Sequence, residues 1–396
     1  MEPVVHSLHL RIKGSWRDAW LYKQSLVLWT REGHLEFVSL DDIRAQVSSE
    51  HGHAVAVAAD YLIFRNDWKA SGQFGDLLQI AGFRALFLAF LEGKSSLTLD
   101  LQLETKGSGN APVHEGYALD TVAYGNRLLS ATDSGLYETE FDPAFPDSDN
   151  PTLRLSDNPA YSIAARNGQF VVSQGDAGLT TREIAFGDGA EWWRAAEQQP
   201  LELVDDYSQR VAFSSYNVLN YRGEPAPTYL EAKTERVKAT GSSRFDSTRI
   251  VGFKDPSTIE GILFASSDGA STTDIGPGRY VIGNAGYRLL VRDGDSVSVI
   301  NLSNFKKNGV EASRNSAYKP NRLDVELANS ALSTSSLSSG FLVETFGSVG
   351  LITERGSHVI IDEPRNRVRT FPTSRRYQDA FLAVDDSFVE LVGFID

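Results

Sequence analysis

The sequence predicts an all-β protein. Apolar runs of strand length recur along the chain, tight Gly/Asp turns join them in pairs, and few stretches carry helical spacing. Six pairs are plain. Ser25–Thr30 turns at Arg31-Glu32-Gly33 into His34–Leu40. Asn126–Thr132 turns at Asp133-Ser134-Gly135 into Leu136–Phe141. Gln169–Gln174 turns at Gly175–Gly178 into Leu179–Phe186. Asn217–Tyr221 turns at Arg222-Gly223 into Thr228–Ala232, and Tyr287–Arg292 turns at Asp293-Gly294 into Asp295–Leu302. Val349–Glu354 turns at Arg355-Gly356 into Ser357–Asp362. Glycine supplies the positive φ that such turns require. A weaker pair fits Ala54–Leu78 around Ser71-Gly72, and another fits Leu263–Ile275 around Asp268-Gly269. The last run, Ala380–Ile395, turns at Asp385-Asp386 and can pair with His6–Ile12 to close a ring.

The turn glycines give the period. Separations of 39, 43 and 45 residues (33 to 72, 135 to 178, 178 to 223) match a four-stranded propeller blade. Separations of 63, 71 and 62 residues elsewhere require insertions. The reading is one β-propeller over residues 1–396, with about seven four-stranded blades and six or eight as alternatives. Two packed β-sandwiches compete with it, showing the same strands without the blade period.

Three segments break the pattern as inserts. Residues 74–93 place Phe83, Leu86, Phe87 and Phe90 at helical spacing, while Phe83, Ala85, Phe87 and Ala89 also alternate as in a strand. Residues 187–199 read as a short helix behind Asp188. Residues 303–340 are basic in their first half and Ser-rich in their second, the composition of a mobile loop.

Arg127–Phe141, with its apolar strand followed by Ala-Thr-x-x-Gly-Leu-Tyr, resembles the β-propeller repeat superfamily, in the form of bacterial sensor-type blades. Arg166–Ile184 is similar but looser. The resemblance implies a fold and no functional residue. There is no WD dipeptide and no kelch di-Gly signature.

Composition narrows the function. The chain has 52 acidic and 38 basic residues, a net charge of −14, which disfavours binding of its whole surface to nucleic acid or anionic membrane. With no cysteine, disulfides, thiolate nucleophiles and Cys-ligated metals are excluded. The start of the sequence has Glu2 and no apolar signal-peptide core. The most apolar run, Ala81–Leu91, contains Arg84 and is half a membrane span. The expectation is a soluble cytoplasmic protein.

No complete catalytic motif is present. Gly93-Lys94-Ser95 ends like a P-loop, but Leu88 stands where its first glycine belongs. His51 and His53 share a strand face only if the segment is extended, and no carboxylate follows before Asp60. Ser and His residues far apart in sequence would form a triad only through folding. Asp147, Asp149 and Asn150 lack the Gly and Glu of an EF-hand loop. No metal and no cofactor are expected.

Basic residues cluster against the overall charge. Lys306, Lys307 and Arg314 lie close together, as do Arg365, Arg367, Arg369, Arg375 and Arg376. In an extended segment Arg365, Arg367 and Arg369 project to one side, as a row for an acidic partner or as protection of an edge strand. Trp192 and Trp193 cannot both face inward from a short helix, and an exposed Trp is hot-spot chemistry. These ten residues form the expected partner site. The expected function is a non-enzymatic scaffold or regulatory subunit of a multi-protein complex. It binds a protein with an acidic patch through propeller-face loops and inserts. A hydrolase or lyase in the channel, and a nucleoprotein subunit using the basic rows, are the alternatives.

Overall fold

The computed structural model describes residues 5–32, 34–91, 96–103, 106–110, 118–140, 152–184, 200–237, 247–263, 279–306, 309–314 and 318–395. Seven antiparallel sheets stand in a ring as a seven-blade β-propeller. The innermost strands of blades 1 to 7 are Trp16–Tyr22, Ala118–Tyr124, Ser162–Arg166, Arg210–Ser214, Arg279–Ala285, Ser333–Ser336 and Arg367–Thr370. At one end of the ring, the turn end, each first strand turns into the second. At the other, the crossover end, second turns into third and each blade passes to the next.

The middle strands of the blades are largely buried. The second strands Arg127–Thr132, Gln169–Ser173 and Ala380–Val384, and the third strand of blade 6, Val349–Thr353, are buried at every residue. Both faces of such a strand meet a neighbouring blade, so alternation is lost and β-branched and Leu residues fill both sides. The first-to-second turns use left-handed residues, among them Asn126, Asn167 and Ser215 at φ 60°, 49° and 58°.

Blade 7 closes the ring. Its inner three strands are Arg367–Thr370, Ala380–Val384 and Phe388–Ile395, and its fourth is His6–Lys13. His6–Lys13 pairs antiparallel with Phe388–Ile395 over eight residues, from His6 opposite Ile395 to Lys13 opposite Phe388. The pairing read from the sequence is therefore present.

Between the third and fourth strands of blade 1 the chain leaves the sheet. The first helix, Leu40–His51, starts where the Ser39 hydroxyl caps the Asp41 N–H at 3.2 Å and ends at Gly52, φ 86°. His53–Ala59, the π-helical turn Asp60–Phe64, Asp67–Ala70, Gln73–Leu77 and Ala81–Leu91 follow. Ser96–Leu101 then adds to blade 7 as a fifth strand, parallel to His6–Lys13. The hairpin expected at Ala54–Leu78 is thus helical: its apolar residues at 58, 59, 62, 63 and 64 bury one helical face. Of the two readings of residues 74–93 the helix is right, with Phe87 and Phe90 buried. Phe83 stacks edge-on against Tyr61 at 4.5 Å, and Phe74 against Phe87 at 5.2 Å. Their opposite partners are Leu8, Leu10 and Ile12 of the closing strand, in the same core.

The segment 303–340 is no loop insert. It holds the ends of blade 5 (Ser296–Lys306 and Gly309–Arg314), helix Arg322–Asn329, and the innermost strand of blade 6. The serines sit there because blade 5 presents backbone carbonyls to them. Thr334 donates to the Ile282 carbonyl at 3.1 Å and Ser336 to the Asn284 carbonyl at 2.5 Å. The turn at Gly356 joins the third and fourth strands of blade 6. The central hairpin of that blade turns at Thr345–Ser348. Residues 187–199 and the turn at Asp268-Gly269 lie outside the described residues.

Gly393 sets how closely the helical insert approaches blade 7. A Cβ there would lie 2.3 Å from the Leu62 carbonyl oxygen of the π-helical turn. Gly393→Val is expected to lower stability by about 1–3 kcal/mol by forcing the insert outward. Hydrogen exchange should show lost protection in residues 58–64. Protection equal to wild type would mean that the insert tolerates the displacement.

Candidate functional site: the arginine row and the central channel

Arg367 and Arg369 do project to one side, but inward. They meet Asp18 on the innermost strand of blade 1, whose side chain is 1% exposed. Arg369 grips it with a fork, Nε to Oδ1 at 3.0 Å and Nη2 to Oδ2 at 2.6 Å, and Arg367 Nη1 donates to Oδ2 at 3.0 Å. Arg369 continues to blade 2, donating to Asp120 Oδ1 at 2.7 Å and to the Thr121 carbonyl at 3.0 Å. Burial would raise the Asp18 pKa, but Arg369 and then Arg367 outweigh it and hold the carboxyl below its usual value. Burial would lower the Arg369 pKa, but Asp18 and Asp120 outweigh it and raise it.

Arg365 points into blade 7 and is 1% exposed. It donates to Glu390 Oε2 at 3.1 Å and to Glu363 at 3.0 Å. Glu390 also takes Arg11 Nε at 3.0 Å and His9 Nδ1 at 3.1 Å, and His9 Nε2 lies 2.8 Å from Ser7 Oγ. Burial would raise Glu390, but His9 and Arg11 reverse the effect and bring it to about 2. Ser7, His9 and Glu390 are bonded in series like a nucleophile, base and orienting acid. All three are buried, and none lines a described cavity, so their place is in the closing blade. The three arginines expected to face a partner are therefore engaged within the chain. Arg367 and Arg369 belong to an innermost strand and reach the neighbouring blade, while Arg365, just before that strand, is held within blade 7.

The other expected residues are scattered. Arg375 and Arg376 are exposed on the turn-end loop between the first two strands of blade 7. Arg314 is exposed on the outermost strand of blade 5, opposite Ile300, while Lys306 closes the third strand, opposite Gly309. The hairpin sets the two six positions apart along the third strand, so that basic cluster separates. Lys307, Trp192 and Trp193 lie outside the described residues, as do Gly93-Lys94-Ser95 and Asp147–Asn150. His51 and His53 flank Gly52 between two helices and share no strand face. Among the described residues no three His, Asp or Glu side chains gather as metal ligands. No helix among them is long and apolar enough to cross a membrane.

A channel of about 1400 Å³ runs along the ring axis. Among the described residues its wall carries Lys23, Arg166, Arg210, Arg288, Arg367 and Arg369, but only two carboxylates, Asp120 and Glu344. Arg210 lies 4.1 Å from the Tyr221 ring centre and donates to the Ile282 carbonyl at 2.8 Å. Burial pushes Glu344 up, against the pull of its Ser333 hydrogen bond and of Arg369 and Arg367. Apart from Arg367 and Arg369, nothing in the sequence marked this wall, because its other cations come singly from blades 1, 3, 4 and 5.

No protein family and no curated protein matches the chain. Among solved structures it is similar to the computationally designed Ika8 protein at 7% identity, over 98% of this chain and 99% of that one, TM-score 0.44. It is also similar to the N-terminal domain of Nup159, at 9% identity over 96% and 90%, TM-score 0.45. For the extracellular domain of the putative one component system BT4673 from B. thetaiotaomicron the values are 12% identity, 67% and 31%, and TM-score 0.35.

Arg369→Ala is expected to cost about 3–5 kcal/mol, because it strips a buried carboxylate of its fork. Adding Asp18→Asn should recover much of that loss. Urea unfolding of the two single variants, the double variant and wild type at pH 7 measures it. A loss under about 1 kcal/mol would mean that the bridge behaves as an exposed pair. Glu390 gives a pH dependence. Its folded value of about 2 lies below the usual 4.5, so its contribution is complete above pH 4.5 and is lost as pH falls towards 2. Denaturation midpoints between pH 6 and 2 should fall more steeply for wild type than for Glu390→Gln, and parallel curves would refute the assignment.

Proposed function

We propose that the protein is a non-enzymatic scaffold that binds another protein through the helical insert of blade 1. One observation carries this reading. Helix Ala81–Leu91 buries Phe87 and Phe90 inward, while its outer face leaves Ile80 and Leu88 exposed at 56% and 51%. Ile80, Arg84 and Leu88 follow at spacings of four and form one stripe. Arg84 is exposed, and the helix contains no carboxylate. Two large apolar side chains around a cation match an apolar segment of a partner that carries an acidic side chain. The acidic partner expected from the sequence is retained, at a different surface. The rigid ring supports this role by fixing the platform, and the insert supplies specificity. A hydrolase or lyase would need a free acid–base pair on the channel wall. Asp120 is held by Arg369, and Glu344 by Ser333.

The test places a photoreactive benzoylphenylalanine at position 88 in the native host. The reading expects one discrete adduct with a different protein. Ile80→Asp with Arg84→Glu should reduce that adduct at least ~10-fold without lowering the thermal midpoint. An adduct only with a second copy of the chain, or one that survives the double variant, overturns the reading.

A further inference from the structure

The channel wall is asymmetric along its axis. At the turn end it carries Lys23 from blade 1, Arg166 from blade 3 and Arg288 from blade 5, spaced around the ring on alternate blades. Both wall carboxylates lie towards the crossover end: Asp120 begins the strand of blade 2 beside Arg369, and Glu344 ends a strand of blade 6 beside Ser333. Arg166 is half-buried and has no hydrogen bond or ion pair among the described residues. Arg288 donates to the Ser338 and Ser339 carbonyls at 2.7 and 3.4 Å, and its nearest carboxylate, Glu354, is 4.0 Å away and outside the wall. Tyr22, Tyr124 and Tyr287 line the same part of the wall, with Tyr22 bonded to Asn126 and Tyr124 to the Gly168 N–H, so that their rings are held in place, and Asn301 adds an amide.

Cations are costly to collect in a concavity unless a counter-charge visits it. A chain of net charge −14 gains nothing in solubility from three of them there. A concave, low-dielectric wall also focuses their field on an entering anion. We propose that the turn-end mouth of the channel binds a small polyanion: an organic molecule carrying two or more phosphate groups. The cations contact the phosphates, and the tyrosines flank the organic body. Inorganic triphosphate retains the charge and lacks the body, so it serves as the first probe. This site is separate from the helical stripe, and either can fail without the other.

Calorimetric titration of the full chain with inorganic triphosphate, at 50 and 200 mM salt, tests the site. Wild type should saturate at one equivalent, and the affinity should fall at least ~10-fold at the higher salt. Arg166→Glu should weaken binding at least ~10-fold, with the thermal midpoint unchanged. Should Arg166→Glu fail to fold, the exposed Lys23→Glu takes its place with the same expectation. Arg314→Glu, on the outermost strand of blade 5 and outside the channel wall, should leave the affinity unchanged. Absence of saturable binding to wild type, wild-type affinity in the mouth variants, or an equal loss in Arg314→Glu would each overturn the proposal.

Discussion

Closure of the ring is the constraint on which the rest of the structure depends. Seven blades leave a gap unless blade 7 holds blade 1, and two devices do this. Strand His6–Lys13 pairs with Phe388–Ile395 over eight residues. Arg367 and Arg369 then lean across to Asp18, and Arg369 goes on to Asp120, so three consecutive blades share one ion cluster. A β-pairing gives direction and register; a forked ion pair in a dry interface gives angle, because it is weak unless both forks align. The insert from blade 1 reinforces the same seam, since Leu8, Leu10 and Ile12 share a core with Leu62, Ile63 and Phe87.

The same principle recurs elsewhere in the ring. Glu138 of blade 2 is fully buried and paired with Arg182 of blade 3, with Arg127 behind it at 3.6 Å. Asp205 binds Arg222 at 2.7 Å and the Asn220 amide at 2.8 Å. Buried carboxylates with arginine partners thus join neighbouring strands where apolar contact alone would let blades slide. An acidic chain can place its arginines inside in this way and still present an acidic exterior.

Much of the fold was legible because tight turns leave local marks. The hairpins at Gly33, Gly135, Gly178, Gly223 and Gly294 are the central hairpins of blades 1 to 5, and Asp385-Asp386 turns that of blade 7. Blade 6 was misread by one strand. Its central turn uses the Thr345 hydroxyl in place of a positive-φ glycine, and its first strand is polar. The false hairpin at Ala54–Leu78 arose because alternating Ala and Val residues fit both periods. The site was far less legible. The spacing of Arg367 and Arg369 showed their common direction, which Arg365 does not share, yet whether that direction is solvent or a neighbouring blade depends on Asp18, some 350 residues away. Spacing within one segment carries no information about that distance.

The fifth strand of blade 7 has a consequence for how the protein is made. Ser96–Leu101 lies parallel to His6–Lys13, which itself waits for Phe388–Ile395. At roughly 5–20 residues per second of synthesis, these two strands exist together for about 15–60 s before their partner leaves the ribosome. During that time they are a two-stranded ribbon with both edges open, and the helices of residues 40–91 lie between them in sequence. Folded back on the ribbon, those helices cover its apolar side at Leu8, Leu10 and Ile12. Packing the insert on the last blade, rather than on the one it interrupts, thus gives the closing strand a covered apolar face that does not depend on the end of the chain.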